Sequence, residues 1–161
     1  MILDTPGKRR RLLDSAKTVA IIGASTNPLR PSYFIFRYLR THGFEVWPVN
    51  PNHQKIDDVE CYPSLLELAR RKGMPDIIDV FRRSDAVLPV VEEAIALGAP
   101  AIWFQYGVLN AKAIARADNA GLNVVVDRCI KVEHARFAGG LGMMGMNSGV
   151  LSSRRRVRKE S

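Results

Sequence analysis

The chain has 161 residues, 47% of them apolar and 25% charged, with a formal net charge of +8. That length suits one domain, and the balance excludes wholesale disorder, a collagen-like repeat and a disulfide scaffold. No apolar run approaches the roughly 18 residues of a membrane-spanning helix, and Lys8 to Arg11 lack the apolar stretch of a secretory signal behind them. Cys61 and Cys129 are too few for a disulfide framework and too far apart for a paired metal motif, so a cytoplasmic, reducing setting is expected.

The charge is unevenly placed. Residues 1–17 hold five Lys/Arg against two Asp, and residues 151–161 hold five against Glu160. The 14 basic and 13 acidic residues between them nearly cancel. A body that tracked a nucleic-acid backbone would carry positive charge on its own face. The basic ends are expected to be solvated, and nucleic-acid binding through them is the minor alternative.

In chain order, residues 4–16 predict a short amphipathic helix with Leu12 and Leu13 available for docking. Residues 17–22 form a β-branched run stopped by Gly23, the pattern of a buried parallel strand. A Gly/Ser/Thr/Asn/Pro loop follows. A helix then starts at Pro31 or Ser32 and stops at His42-Gly43. The cycle repeats with strands over 44–49, 76–81, 101–105 and 122–127. Residues 50–60 read as loop, and the intervening helices run over 63–71, 89–97 and 110–120. Asn110 is the expected N-cap of the last of these. One or two further helical turns are expected over 130–137, and residues 138–161 read as a Gly/Met-rich and basic tail. Five strands alternating with helices predict one α/β domain over 18–137, a Rossmann-like, doubly wound five-stranded parallel sheet.

Ligands of such sheets lie at the carboxyl ends of the strands. The candidate site is therefore Gly23 to Arg30, including Ala24, Ser25 and Asn27, with Ser32 at the helix start, Asn50-Pro51, Phe81-Arg82-Arg83, Gln105-Tyr106-Gly107 and Asp127-Arg128-Cys129. A helix N-terminus after the first loop, together with Arg30, Arg82 and Arg83, favours a phosphorylated ligand. The first loop has one glycine and the second strand ends in Asn50-Pro51, not in an acid, which disfavours an ordinary NAD fingerprint. A Gly-Lys-Ser/Thr phosphate loop is also absent.

Several motifs occur together and in order: Val19-Ala-Ile-Ile-Gly-Ala-Ser25, Arg30-Pro-Ser32, Val46-Trp-Pro-Val-Asn-Pro51, Cys61-Tyr-Pro-Ser-Leu65, Asp79-Val-Phe-Arg82, Trp103-Phe-Gln-Tyr-Gly107 and Val126-Asp-Arg-Cys129. Over about residues 15–137 the chain resembles the small single-domain bacterial CoA-binding proteins. More distantly it is similar to the CoA-binding domain of the succinyl-CoA synthetase alpha subunit. The resemblance implies coenzyme A, free or acylated, held at these strand ends. It places phosphates and pantetheine against Gly23-Ala24-Ser25, the nucleotide pocket at Asn50-Pro51, the adenosine side at Phe81-Arg82 and the pantetheine arm at Gln105 and Gly107. The synthetase-like pattern has a lysine soon after the proline that follows the second strand; here the nearest, Lys55, is displaced along a flexible loop, from which it is the candidate to reach a phosphate.

Acyl-CoA synthetases of this lineage use a phosphorylated histidine and a nucleotide site from further domains. The expectation here is a CoA-binding module without catalytic machinery. Ser25 lacks a Gly-x-Ser-x-Gly setting and a histidine close in sequence, so it reads as a turn serine. Cys129 beside Arg128 is the reactive candidate, set against simple burial. His42, His53 and His134 suggest no catalytic pair or metal site, with His53 solvated. Asp79 and Asp127 read as structural hydrogen-bonders, and Trp47 and Trp103 as core. The remaining alternatives are a sensor of another nucleotide such as NAD(H) and a small thioester enzyme using Ser25 or Cys129.

Overall fold

The structure is a computed structural model that describes residues 1–138. Its elements are α1 (Pro6–Ser15), β1 (Thr18–Ile22), α2 (Pro31–Thr41), β2 (Glu45–Val49), β3 (Lys55–Ile56), β4 (Val59–Glu60), α3 (Leu65–Lys72), β5 (Ile77–Val80), α4 (Leu88–Ala96), β6 (Ala101–Phe104), α5 (Ala111–Asn119), β7 (Asn123–Val126) and α6 (Ile130–Ala138). The Gly/Met-rich and basic tail lies outside the described residues from 139 onward.

Five strands form a parallel sheet in the order β2-β1-β5-β6-β7. Both faces are covered, which is why the strands read as apolar runs instead of alternating. On one face Ala20, Ile22, Ile78, Val80, Ile102 and Phe104 pack with Leu65, Leu68, Val91, Ala94, Ala113 and Ala117 of α3, α4 and α5. On the other, Val19, Ile21, Ile77, Trp103 and Val125 pack with Leu13, Ile35, Phe36, Leu39 and Ile130 of α1, α2 and α6. The expected caps are present. The Ser64 side chain accepts the Glu67 amide, and that of Asn110 accepts the Ala113 amide.

Three features differ from the sequence reading. The stretch expected as loop to Glu60 contains a small antiparallel pair, β3 with β4. Asp57 adopts φ 52° in its turn, a conformation that an aspartate tolerates better than most residues. The pair buries Ile56 completely. The N-terminal segment is more than a helix, because Ile2 bridges to Val124 and the Leu3 amide donates to the Val124 carbonyl at 2.7 Å, covering the edge of β7. Third, α1 is tied to the body by a buried ion pair, Arg9 Nε to Glu133 Oε1 at 2.6 Å. Among the described residues no helix is long and apolar enough to cross a membrane.

Candidate functional site

Strand β1 lies between β2 and β5, so the connections that follow β1 and β5 leave in opposite directions and open a crevice above their carboxyl ends. A cleft of about 940 Å³ lies there. Gly23, at φ +89°, begins its floor. The Gly23 amide donates to the Val49 carbonyl at 2.9 Å, and the Phe81 amide donates to that of Ile22 at 2.8 Å, so three strand ends are locked together. A Cβ at position 23 would stand 2.5 Å from the Phe81 carbonyl oxygen, which explains the glycine.

The loop beyond Gly23 is held by its own side chains. Ser25 Oγ accepts the Asn27 amide at 3.0 Å, and Asn27 Oδ1 accepts that of Leu29 at 2.9 Å. Asn50 Nδ2 donates to the Ala24 carbonyl at 2.7 Å, joining this loop to the end of β2. Helix α2 starts at Pro31, which has no N–H, and the Tyr33 amide donates to the Arg30 carbonyl at 3.0 Å, so with no side-chain cap the Ser32 amide is the one left without a partner among the described residues. Past β6, Gln105 Oε1 is buried and accepts the Ile130 amide at 3.0 Å, fixing the start of α6. Trp103 Nε1 donates to the Arg128 carbonyl at 2.7 Å from beneath the same turn. Asp127 bonds as expected, its Oδ1 accepting the Gly107 amide at 2.8 Å.

Of the residues the sequence selects, Gly23, Ala24, Ser25, Arg30, Ser32, Asn50, Phe81, Arg82, Arg83, Gln105, Tyr106, Asp127, Arg128 and Cys129 line the cleft. Asn27, Pro51, Lys55 and Gly107 do not. Asn27 is spent on its own turn, Pro51 sits exposed in the turn after β2, Lys55 lies on the β3–β4 pair, and Gly107 is used by its amide bond to Asp127. The arginines are not equivalent. Arg83 is fully engaged with exposed Asp85, whereas Arg30, Arg82 and Arg128 form no ion pair among the described residues. His53, expected in solvent, is half-buried in the lining.

The wall that the sequence reading missed is α6. Cys129, Val132, Glu133 and Arg136, the last three spaced three, four and seven residues from the first, present one helical face to the cleft, opposite Pro31, Ser32 and Ile35. Glu133 is buried between Arg9 and Arg136, the latter at 3.4 Å. Behind this wall Tyr38 Oη lies 2.9 Å from His134 Nδ1. Burial, then the nearby Cys129, pushes the pKa of the Tyr38 hydroxyl up to about 12. Burial and then the charge of His42 lower the basicity of His134. No histidine among the described residues hydrogen-bonds to Ser25 or Cys129, and none of them groups into a metal-holding cluster.

Asp79 departs from expectation. Instead of bonding a loop it sits on central β5 between Ile21 and Trp103, fully buried, and neither carboxylate oxygen has a partner. Desolvation raises its pKa well above the ordinary carboxylate range, so the neutral acid is the buried form. An acid raised in the folded state keeps its proton while the unfolded chain loses its own. Folding stability is therefore greatest below the ordinary carboxyl range and falls as pH rises from there until the buried group itself ionises. Asp79→Asn should remove this dependence. Its stability advantage over wild type should grow by about 1.4 kcal/mol per pH unit through that window. Urea unfolding of both proteins at pH 4.5 and 7.5 checks it, and parallel profiles would contradict it.

Fold and site together define the class: a doubly wound, Rossmann-like α/β domain with its cleft at the switch point of the sheet. The chain matches the family model described as CoA binding domain over residues 17–135, and it belongs to that family. It is 36% identical over 126 residues to the uncharacterized protein YneT of Bacillus subtilis (strain 168), covering 78% of this chain and 91% of that one. Acetate–CoA ligase [ADP-forming] II of Archaeoglobus fulgidus is 41% identical over 66 residues, 40% of this chain but 9% of the ligase. A solved structure, a hypothetical protein from Pyrococcus horikoshii OT3, has a TM-score of 0.79 at 37% identity, covering 84% of this chain and 93% of that chain.

Proposed function

We propose that this protein binds coenzyme A or an acyl-CoA in the switch-point cleft, as a carrier-binding module. The observation that carries the reading is one constellation: the Gly23-Ala24-Ser25 turn, the uncapped start of α2, and the unpaired Arg30 and Arg82, all on one cleft of a CoA-binding-domain chain. The Ser32 amide at the helix start and mobile guanidinium groups suit phosphates. Half-buried Phe81 and the neighbouring loops offer apolar surface to the rest of a nucleotide. Among the described residues neither Ser25 nor Cys129 has a histidine partner, so holding the carrier is the reading favoured over thioester chemistry.

Calorimetric titration with CoA, NAD and ATP tests this, with CoA expected to bind tightest. An NAD affinity tenfold better than that for CoA, a difference of about 1.4 kcal/mol, would overturn the reading. Within the site, Arg30→Ala and Arg82→Ala are each expected to weaken CoA binding by about 1.5–3 kcal/mol, the range for hydrogen bonds to charged groups. Arg83→Ala should do less, because its guanidinium is already taken by Asp85. The same titrations rank the three variants, and an Arg83 effect larger than both others would move the phosphates toward α4.

A further inference from the structure

The cleft has two chemically different sides. The β1 and β5 ends carry the uncapped α2 start with Arg30 and Arg82, which suit the anionic end of a ligand. Along α6 the lining carboxylate, Glu133, is held by two guanidinium groups, Arg9 and Arg136, so this wall offers no uncompensated anion and carries positive charge at half-exposed Arg136 and at Arg128 at its base. It also offers apolar surface. Val132 lines the cleft yet remains 53% exposed, next to half-buried Cys129 and opposite Ile35. Tyr106, also in the lining, is 77% exposed.

Seven large apolar side chains are exposed in the described residues: Met1, Leu29, Phe34, Leu66, Tyr106, Leu109 and Val132. Two of them, Tyr106 and Val132, lie in the cleft lining. Exposed apolar side chains within a cleft mark where an apolar group is received. A free CoA ends in a small thiol beyond polar amides and would leave such a wall uncovered. A cationic end joined to an apolar side matches a ligand that is anionic at one end and aliphatic at the other.

We propose that the preferred ligand is a CoA thioester with an aliphatic acyl group longer than acetyl, its chain lying against Val132 of α6 and Tyr106 of the loop after β6. The proposal rests on the CoA reading above and adds the substrate class. No bond is made or broken; the acyl group is held and shielded.

The experiment is calorimetric titration of the full chain with CoA, acetyl-CoA and hexanoyl-CoA. A fully buried methylene contributes about fourfold in affinity. The open wall covers part of the chain, so hexanoyl-CoA is expected to bind about tenfold or more tightly than CoA, with acetyl-CoA between them. Val132→Ser and Tyr106→Ser should each reduce the hexanoyl-to-CoA ratio, while Val132→Leu should preserve it. Val132 and Tyr106 are exposed, so circular dichroism should find all three variants folded. If CoA and hexanoyl-CoA bind equally, the acyl proposal fails and the CoA reading stands. If neither binds, both fail. A ratio unchanged in both serine variants would also overturn the proposal, since the chain would then lie elsewhere.

Discussion

Gly23→Ala is expected to destabilise the protein by about 2–5 kcal/mol, combining left-handed backbone strain with overpacking. Residue 23 holds φ +89°, and an added Cβ would meet the Phe81 carbonyl oxygen at 2.5 Å. That oxygen belongs to backbone at the end of central β5, so it cannot swing aside as a side-chain tip would. Phe81→Ala therefore should not rescue the variant. The comparison that isolates the clash is Gly43→Ala, where φ is +93° but nothing lies within 4 Å of the added methyl. Gly43→Ala should cost only the backbone strain, about 1–2 kcal/mol. Urea midpoints of the two variants give the difference directly. Equal losses would mean that the β1 and β5 ends can part without penalty. Because Gly23 floors the cleft, relief of the clash must move the turn that carries Ser25. CoA affinity is expected to fall even at temperatures where the variant stays folded.

That position is readable from sequence because it obeys a local rule: an apolar strand, a glycine stop, then a polar loop. Strand-end rules of this kind place all five strand ends and therefore most of the cleft lining. What they do not supply is the helix that closes the cleft. Residues 130–137 follow the last strand and read as a turn or two of helix. The face they turn to the cleft becomes visible only when Val132, Glu133 and Arg136 are put on one helical stripe with Cys129. Arg9 is hidden for a different reason. In sequence it is one of four consecutive basic residues, and nothing local separates it from Lys8 or Arg10, which are not buried. Its burial depends on a carboxylate 124 positions away. Asp79 is hidden by the sheet's own pattern. A polar residue in a strand invites a hydrogen-bond partner, but central β5 is covered on both faces and the carboxyl finds none. Lys55 is the converse case: a charge counted toward the site lies on a small β-pair outside the cleft lining, with Asp57 in its turn and Ile56 buried.

Arg9→Met is expected to cost about 3–5 kcal/mol, the usual result of removing one partner from a buried pair. Arg9 and Glu133 are 3% and 2% exposed, with Nε and Oε1 at 2.6 Å. Arg9 Nη1 also donates to the Leu3 carbonyl at 3.2 Å, so the substitution loosens the segment that covers the β7 edge. Arg136 stays near Glu133 at 3.4 Å, but 46% of its side chain is exposed and water screens it. Its residual attraction places the expected loss toward the lower end. The double variant Arg9→Met with Glu133→Leu removes both charges and fills similar space. It should recover most of the lost stability, because an apolar pair escapes the desolvation penalty that an ion pair must overcome. A double-mutant cycle by urea unfolding measures this, and additive losses would show that the two groups act independently. The functional consequence separates from the structural one. Arg9 does not line the cleft, whereas Glu133 does. In Arg9→Met, Glu133 has lost its main partner and leaves a less compensated negative charge in the wall, so CoA affinity should fall. In the double variant that charge is gone, and affinity should return with stability. Recovery of stability without recovery of affinity would instead assign Glu133 a direct contact with the ligand, and would shift the polar part of the bound molecule toward α6.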